Sequence, residues 1–177
     1  RGGNVILKEL VLNNFRQFYG EQKIEFCYGE SNTTIIFGEN GKGKTGIFRA
    51  LIFALFGEKY LSQDDDKNKI HLINWVKLQE EKGETVKAFV KVAFSNNDTN
   101  YILKRDLLGY IDVNEIKEKI DGVELTIIDA NGNCGEICRD ESEVKAIVSS
   151  IINNEIKDFF LFDGEKIETL AKTNEKV

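Results

Sequence analysis

The stretch that decides the fold reads Gly38-Glu39-Asn40-Gly41-Lys42-Gly43-Lys44-Thr45. It matches the pattern G-x-x-x-x-G-K-[ST] at every fixed position, the signature of a phosphate-binding P-loop. Glycines let such a backbone curl so that consecutive N–H groups point at an anion, and the dipole of the following helix adds positive potential. Lys44 then reaches the β- and γ-phosphates, and the Thr45 hydroxyl binds Mg²⁺. The stretch therefore predicts a site for a nucleoside triphosphate such as ATP, with all eight residues in contact with it.

The residues on either side of the loop fit this interpretation. Thr33–Phe37 is a short β-branched and apolar run without alternation, which favours a strand buried on both faces, as in a parallel sheet. After Thr45 the apolar residues recur at helical spacing and stop at a glycine, which predicts a helix that ends at Gly57. These apolar residues are Ile47, Phe48, Leu51, Ile52 and Leu55. Strand, loop and helix thus follow in the order that a P-loop requires.

The remaining patterns complete an α/β fold with a β-meander beside the P-loop strand and helix. Alternating apolar residues predict strands, turn-forming residues separate them, and one amphipathic repeat predicts a helix. The predicted strands are Val5–Leu12 and Lys23–Cys27 as a hairpin, Val86–Phe94, Asn100–Arg105 and Val123–Asp129 as the meander, and Phe159–Phe162 as a late buried strand; the helix is Glu141–Asn153. The mixed-charge block Asp64–Lys69 is interpreted as a solvated loop.

Length and composition limit the classes of protein that fit. A chain of 177 residues suits one domain, and its net charge of −6 provides no global basic field for DNA or acidic membranes. The longest apolar run, Ala50–Phe56, is far shorter than the roughly 20 residues of a membrane helix. The three cysteines are too few, beside a single histidine, to favour a zinc site. We expect a cytoplasmic protein with reduced thiols and no membrane partner.

Hydrolysis needs more than a P-loop, because a Walker B carboxylate must hold the metal and another group must orient water. The candidate is Asp163, which follows the apolar run Phe159–Phe162, with Glu165 two residues later. If Asp163 bound Mg²⁺ and Glu165 activated water, the chain would be a self-contained NTPase, such as a small-molecule kinase.

A second interpretation comes from a family resemblance. The motif Asn14-Phe15-Arg16, the glycine-rich loop, the strand Tyr101–Arg105 and the late phrase Phe160–Ile167 together resemble the N-terminal half of SMC-type ATPase heads. Within that superfamily the phrase Phe-Leu-Phe-Asp-Gly-Glu-Lys-Ile is most similar to DndD, the ATPase of DNA phosphorothioation systems.

The resemblance implies roles and a division of the chain. Residues 4–162 would form the N-terminal head lobe, and residues 163–177 would begin a coiled-coil helix. Asp163 would occupy the Q-loop position, where the family has glutamine, and would contact Mg²⁺ and the reaction site; Arg16 would lie near the nucleotide, although a lone turn arginine is also compatible with simple surface charge.

The same resemblance implies partners. The Walker B motif, signature motif and switch histidine of these ATPases lie in a C-terminal lobe, and two heads sandwich two nucleotides. We therefore expect that this chain by itself binds ATP but does not hydrolyse it. Hydrolysis would need its C-terminal lobe and a second, identical head. DNA and further DNA-modification or nuclease subunits are the implied partners, in DNA repair, DNA modification or anti-phage defence. An ABC transporter subunit is the remaining alternative.

Overall fold

The computed structural model describes residues 5–30, 33–39, 41–61, 64, 70–113 and 115–152. Along this part of the chain the elements, in order, are β1 (Val5–Phe15), β2 (Phe18–Glu25), α1 (Lys44–Phe56), α2 (Trp75–Glu80), β3 (Val86–Asn96), β4 (Thr99–Asp112), β5 (Glu115–Ile128), β6 (Cys134–Cys138) and α3 (Glu141–Ile151). The predicted elements within these residues are thus present, with one exception described below, and most strands are longer than their patterns indicated.

The strands form one six-stranded sheet in the order β2-β1-β3-β4-β5-β6. Every neighbouring pair is antiparallel. The predicted hairpin and meander are therefore confirmed. They join into one sheet because β1 lies between its own hairpin partner β2 and the first meander strand β3.

Helix α1 is the centre of the core. Every residue from Arg49 to Phe56 is buried, and all but Arg49 are apolar, as expected for an enclosed helix. The Phe53 ring stacks on Phe15 at the end of β1, with ring centroids 5.9 Å apart. The helix ends as the sequence predicts, because Gly57 adopts φ 70° and donates its N–H to Phe53 O.

Helix α3 packs against β5 and α1 and adds two residues to the core. Its first turn is capped by Asp140, whose side chain accepts a hydrogen bond from Glu143 N. Val144 and Val148 are the buried residues of this helix. The predicted helix is thus confirmed over Glu141–Ile151.

The prediction of a buried strand at Thr33–Phe37 is wrong for the described structure. The segment is not part of the sheet, and Ile35 is 68% and Phe37 89% exposed. A strand exists through the neighbours that pair with its backbone and cover its faces, and the described residues provide none here. The apolar pattern shows that these side chains are suited to burial, but it does not show which neighbours would bury them.

Candidate nucleotide-binding site

The P-loop runs from the end of the exposed segment into the first turn of α1. Gly43 is the residue before the helix and has φ 112°, a left-handed conformation that side chains rarely tolerate. Lys42 N donates to Glu39 O at 3.2 Å, which closes the curl of the loop. Asn40 lies outside the described residues. The remaining seven predicted residues lie on either side of that position: Gly38 and Glu39 before it, and Gly41, Lys42, Gly43, Lys44 and Thr45 after it.

The helix N-terminus supplies the donors that a phosphate needs. The first backbone N–H of α1 with an acceptor in the preceding turn is that of Ile47, which donates to Gly43 O at 3.0 Å. The backbone N–H groups in the first turn of a helix point out of its N-terminal end, which in α1 faces the loop. Together with the helix dipole they form an anion-binding end.

Lys44 extends back along the loop. Its ammonium donates to Gly38 O at 2.6 Å and to Glu39 O at 3.0 Å. Both Lys44 and Thr45 are exposed residues. The donor set therefore fits a polyphosphate, and the hydroxyl is a suitable oxygen ligand for Mg²⁺.

Arg16 lies in the tight turn between β1 and β2, and the structure does not support simple surface charge for it. The side chain is half-buried, and Nη1 donates to His71 O at 2.7 Å. Burial, followed by the positive charge of Arg49, lowers the pKa of this guanidinium. Whether Arg16 contacts nucleotide stays a prediction.

The Asp64 side chain is largely buried and ion-paired, which corrects the interpretation of a solvated loop at this residue. Its carboxylate accepts two hydrogen bonds from Arg49 on α1, at 2.7 and 2.5 Å, and one from Leu61 N at 2.7 Å. The Arg49 side chain is 4% exposed and that of Asp64 6%. The hydrogen bonds from Arg49 lower the pKa of Asp64. This pair fixes the chain after α1 to the P-loop helix.

Asp163 and Glu165 lie outside the described residues, as do the predicted strand Phe159–Phe162 and the predicted start of a coiled coil. The roles assigned to Asp163, as a Q-loop or Walker B residue and Mg²⁺ ligand, remain predictions.

Two residues at the site were not found from the sequence. The Gln17 amide packs against Gly43 and Gly46 of the P-loop and α1. The buried Glu118 carboxylate on β5 accepts hydrogen bonds from Leu72 N and Ile73 N, each at 2.8 Å. It thereby holds the segment that includes His71, whose carbonyl oxygen accepts the hydrogen bond from Arg16. Both contacts join residues far apart in sequence, so no local pattern indicated them.

Fold and site together define a P-loop domain of α/β type whose described strands form an antiparallel sheet. Residues 9–177 match the protein family described as AAA domain, and the chain belongs to that family.

The relatives are ATPases of DNA repair. The chain is 30% identical over 170 residues to the DNA double-strand break repair Rad50 ATPase of Methanocaldococcus jannaschii, which covers 96% of this chain and 15% of the relative. It is 40% identical over 58 residues to that of Methanosarcina mazei, covering 33% of this chain and 5% of the relative. The chain thus spans less than a sixth of the length of these relatives. The coarser part of the resemblance, an SMC/Rad50-type P-loop ATPase head, is supported by these matches.

One solved structure, from work on the structural biochemistry of ATP-driven dimerization and DNA-stimulated activation of SMC ATPases, is similar with a TM-score of 0.49 and 18% identity, over 94% of this chain and 98% of that chain. Such a likeness lies below the level that would define a common fold. Within the described residues, no helix combines the length and apolar content needed to cross a membrane.

Proposed function

We propose that this chain is the ATP-binding N-terminal lobe of an SMC-type ATPase that acts on DNA. The observation that carries the proposal is the curl of the loop into the N-terminus of α1, with the Lys44 ammonium folded back over the loop onto Gly38 O and Glu39 O. The similarity to the Rad50 ATPase of Methanocaldococcus jannaschii over nearly the whole chain supports the assignment to this class.

When bound, Mg²⁺ supplies charge neutralisation across the β- and γ-phosphates. The loop N–H groups would hold the phosphates, Lys44 would neutralise their charge, and the Thr45 hydroxyl would hold the metal, with Asp163 as its proposed second protein ligand. Arg16 would add positive charge from the β1–β2 turn. These roles orient the triphosphate and by themselves provide no group that activates water.

The exposed segment before the loop supports the proposal that this lobe is incomplete alone. Ile35 and Phe37 are largely exposed and Ile36 is 39% exposed, although such residues are usually buried. Burying an isoleucine or phenylalanine side chain contributes about 1.5–3 kcal/mol. We propose that the C-terminal lobe of the same protein covers this segment, and that a second head completes the nucleotide site.

The finer assignment rests on the late phrase Phe160–Ile167, which favours a DndD-like role in DNA sulfur modification or host defence. The Rad50 relatives support DNA repair as the alternative within the same class. In either case DNA and other subunits of a modification or nuclease system are the proposed partners.

The test compares nucleotide binding with turnover. The 177-residue chain is expected to bind ATP in the presence of Mg²⁺ and to show no steady hydrolysis, and addition of a C-terminal lobe from the same protein should restore hydrolysis and its stimulation by DNA. Lys44→Ala provides the control, because it should abolish binding in both preparations.

Steady hydrolysis by the chain alone would refute the proposal. If Asp163→Asn also abolished that hydrolysis, the self-contained NTPase with Asp163 and Glu165 as its Walker B pair would take its place. Co-purification of the native protein with a membrane component would instead favour a transporter subunit.

A further inference from the structure

The side chain of Gln17 lies on the P-loop although Gln17 belongs to the β1–β2 turn. A methyl group added at Gly43 would come within 2.6 Å of Gln17 Nε2, and one added at Gly46 would overlap that nitrogen and lie 2.7 Å from Oε1. Gly46 is buried while its neighbours Lys44 and Thr45 are exposed. The amide therefore occupies the space that a side chain at position 46 would fill.

The turn that carries Gln17 is held rigidly in an uncommon conformation. Asn14 and Arg16 have φ values of 48° and 53°, a region that non-glycine residues adopt only when their surroundings fix them. The buried Asn14 amide donates to Lys87 O at 3.2 Å, and the buried Asn74 amide donates to Arg16 O at 2.8 Å. Arg16 N donates to Leu72 O at 2.7 Å. Contacts to two other parts of the fold thus hold the turn against the P-loop.

The position of the amide along the loop indicates which part of a nucleotide it can reach. The Lys44 ammonium lies at Gly38 and Glu39, at the start of the loop, whereas the Gln17 amide lies at Gly46, in the first helical turn. Backbone N–H groups in a P-loop cradle the α- and β-phosphates, while the lysine reaches the β- and γ-phosphates. An amide beside Gly46 is therefore next to phosphates that ADP retains.

We propose that Gln17 is a nucleotide-binding residue whose Nε2 donates a hydrogen bond to an α- or β-phosphate oxygen, and that glycine at positions 43 and 46 provides the room for it. This inference rests on the proposed nucleotide-binding function. A side-chain amide has two N–H donors, so one can contact phosphate while the amide stays packed on Gly46.

The test measures Kd for fluorescent N-methylanthraniloyl ATP and ADP with Mg²⁺, using the 177-residue chain. Gln17→Ala should raise Kd about tenfold for both nucleotides, the usual effect of losing one hydrogen bond to a charged group. Gln17→Glu should raise both values further, because a carboxylate would face phosphate. Gln22→Ala is the matched control, since that exposed amide lies on the same hairpin and donates to Tyr19 O; its Kd should equal that of the wild type.

A double-mutant cycle separates a direct contact from a general loss of structure. Gly46→Ala should displace Gln17 and raise Kd about as much as Gln17→Ala, and the double variant should show no further increase, because both changes remove the same contact. If either variant fails to fold, the other still tests the contact.

The outcomes distinguish the inference from the proposed function. A wild-type chain that binds neither nucleotide would refute nucleotide binding itself. A wild-type chain that binds both, with Gln17→Ala within twofold of it, would refute only the role of Gln17. A loss confined to ATP would also refute the inference, because it would place the amide at the γ-phosphate.

Discussion

The Arg49–Asp64 pair should make a large contribution to the stability of the P-loop helix. Asp64→Asn keeps the shape of the side chain but leaves the Arg49 guanidinium, which is 4% exposed, without an anionic partner. The carboxylate accepts three hydrogen bonds, two from Arg49 and one from Leu61 N. An asparagine offers one acceptor oxygen and turns an N–H₂ group toward donors.

The magnitude follows from that geometry. Loss of about two hydrogen bonds to a charged group, at roughly 1.5–3 kcal/mol each, gives about 3–6 kcal/mol. This agrees with the roughly 3–5 kcal/mol expected when one partner of a buried ion pair is removed. Since domains are usually stable by about 5–15 kcal/mol, the variant should lose a large share of its stability.

The assay is urea unfolding followed by far-UV circular dichroism. The double variant Arg49→Met/Asp64→Leu should recover most of the loss, because an apolar pair leaves no buried charge. Glu115→Gln is the matched control, since its ion pair with Lys117 is exposed and its removal should not change the unfolding midpoint. A loss below about 1 kcal/mol for Asp64→Asn, or a double variant less stable than the single one, would refute the reasoning.

Three further predictions use the same structure. Lys44→Ala should abolish ATP binding, because Lys44 would contact the β- and γ-phosphates, while circular dichroism stays unchanged because its side chain is exposed; equal Kd for wild type and variant would contradict this. The pKa of Asp64 is lowered in the folded state, so its stabilisation is present above the unfolded-state pKa of about 3.9 and is lost as pH falls through the folded-state value. Below about pH 4 the urea unfolding midpoint should therefore fall less steeply with falling pH in Asp64→Asn than in the wild type. Parallel plots of midpoint against pH for the two proteins would contradict this prediction. Glu118→Gln should speed hydrogen exchange at the amides of Leu72 and Ile73, because both donate to this carboxylate; exchange at the wild-type rate would show that the carboxylate does not hold the segment.

The local patterns of the sequence were sufficient for the elements that each depend on one stretch of chain. The helix after the P-loop is predictable because its apolar spacing and its terminal Gly57 lie within thirteen residues of each other. The hairpin and meander are predictable because turn-forming residues separate alternating strands. Their joining into one sheet, through pairing of β1 with β3, is not a local property and required the structure.

The prediction at Thr33–Phe37 was wrong for a related reason. Apolar composition indicates that a segment is suited to burial, but burial itself depends on neighbours contributed by other parts of a protein. The described residues leave Phe37 exposed, so composition and environment disagree at this one segment.

The sequence by itself determined the P-loop motif and predicted the nucleotide site, because the glycines, Lys44 and Thr45 of that motif all lie within the continuous stretch Gly38–Thr45. Only the tertiary structure decided what surrounds that loop. The sequence places Asp64 in a solvated block of charges, whereas in the structure it is paired with Arg49, fifteen residues away. In the sequence Gln17 is an ordinary turn residue, whereas in the structure its amide packs against Gly46. Contacts between residues distant in sequence depend on the packing of whole elements, which no local pattern encodes.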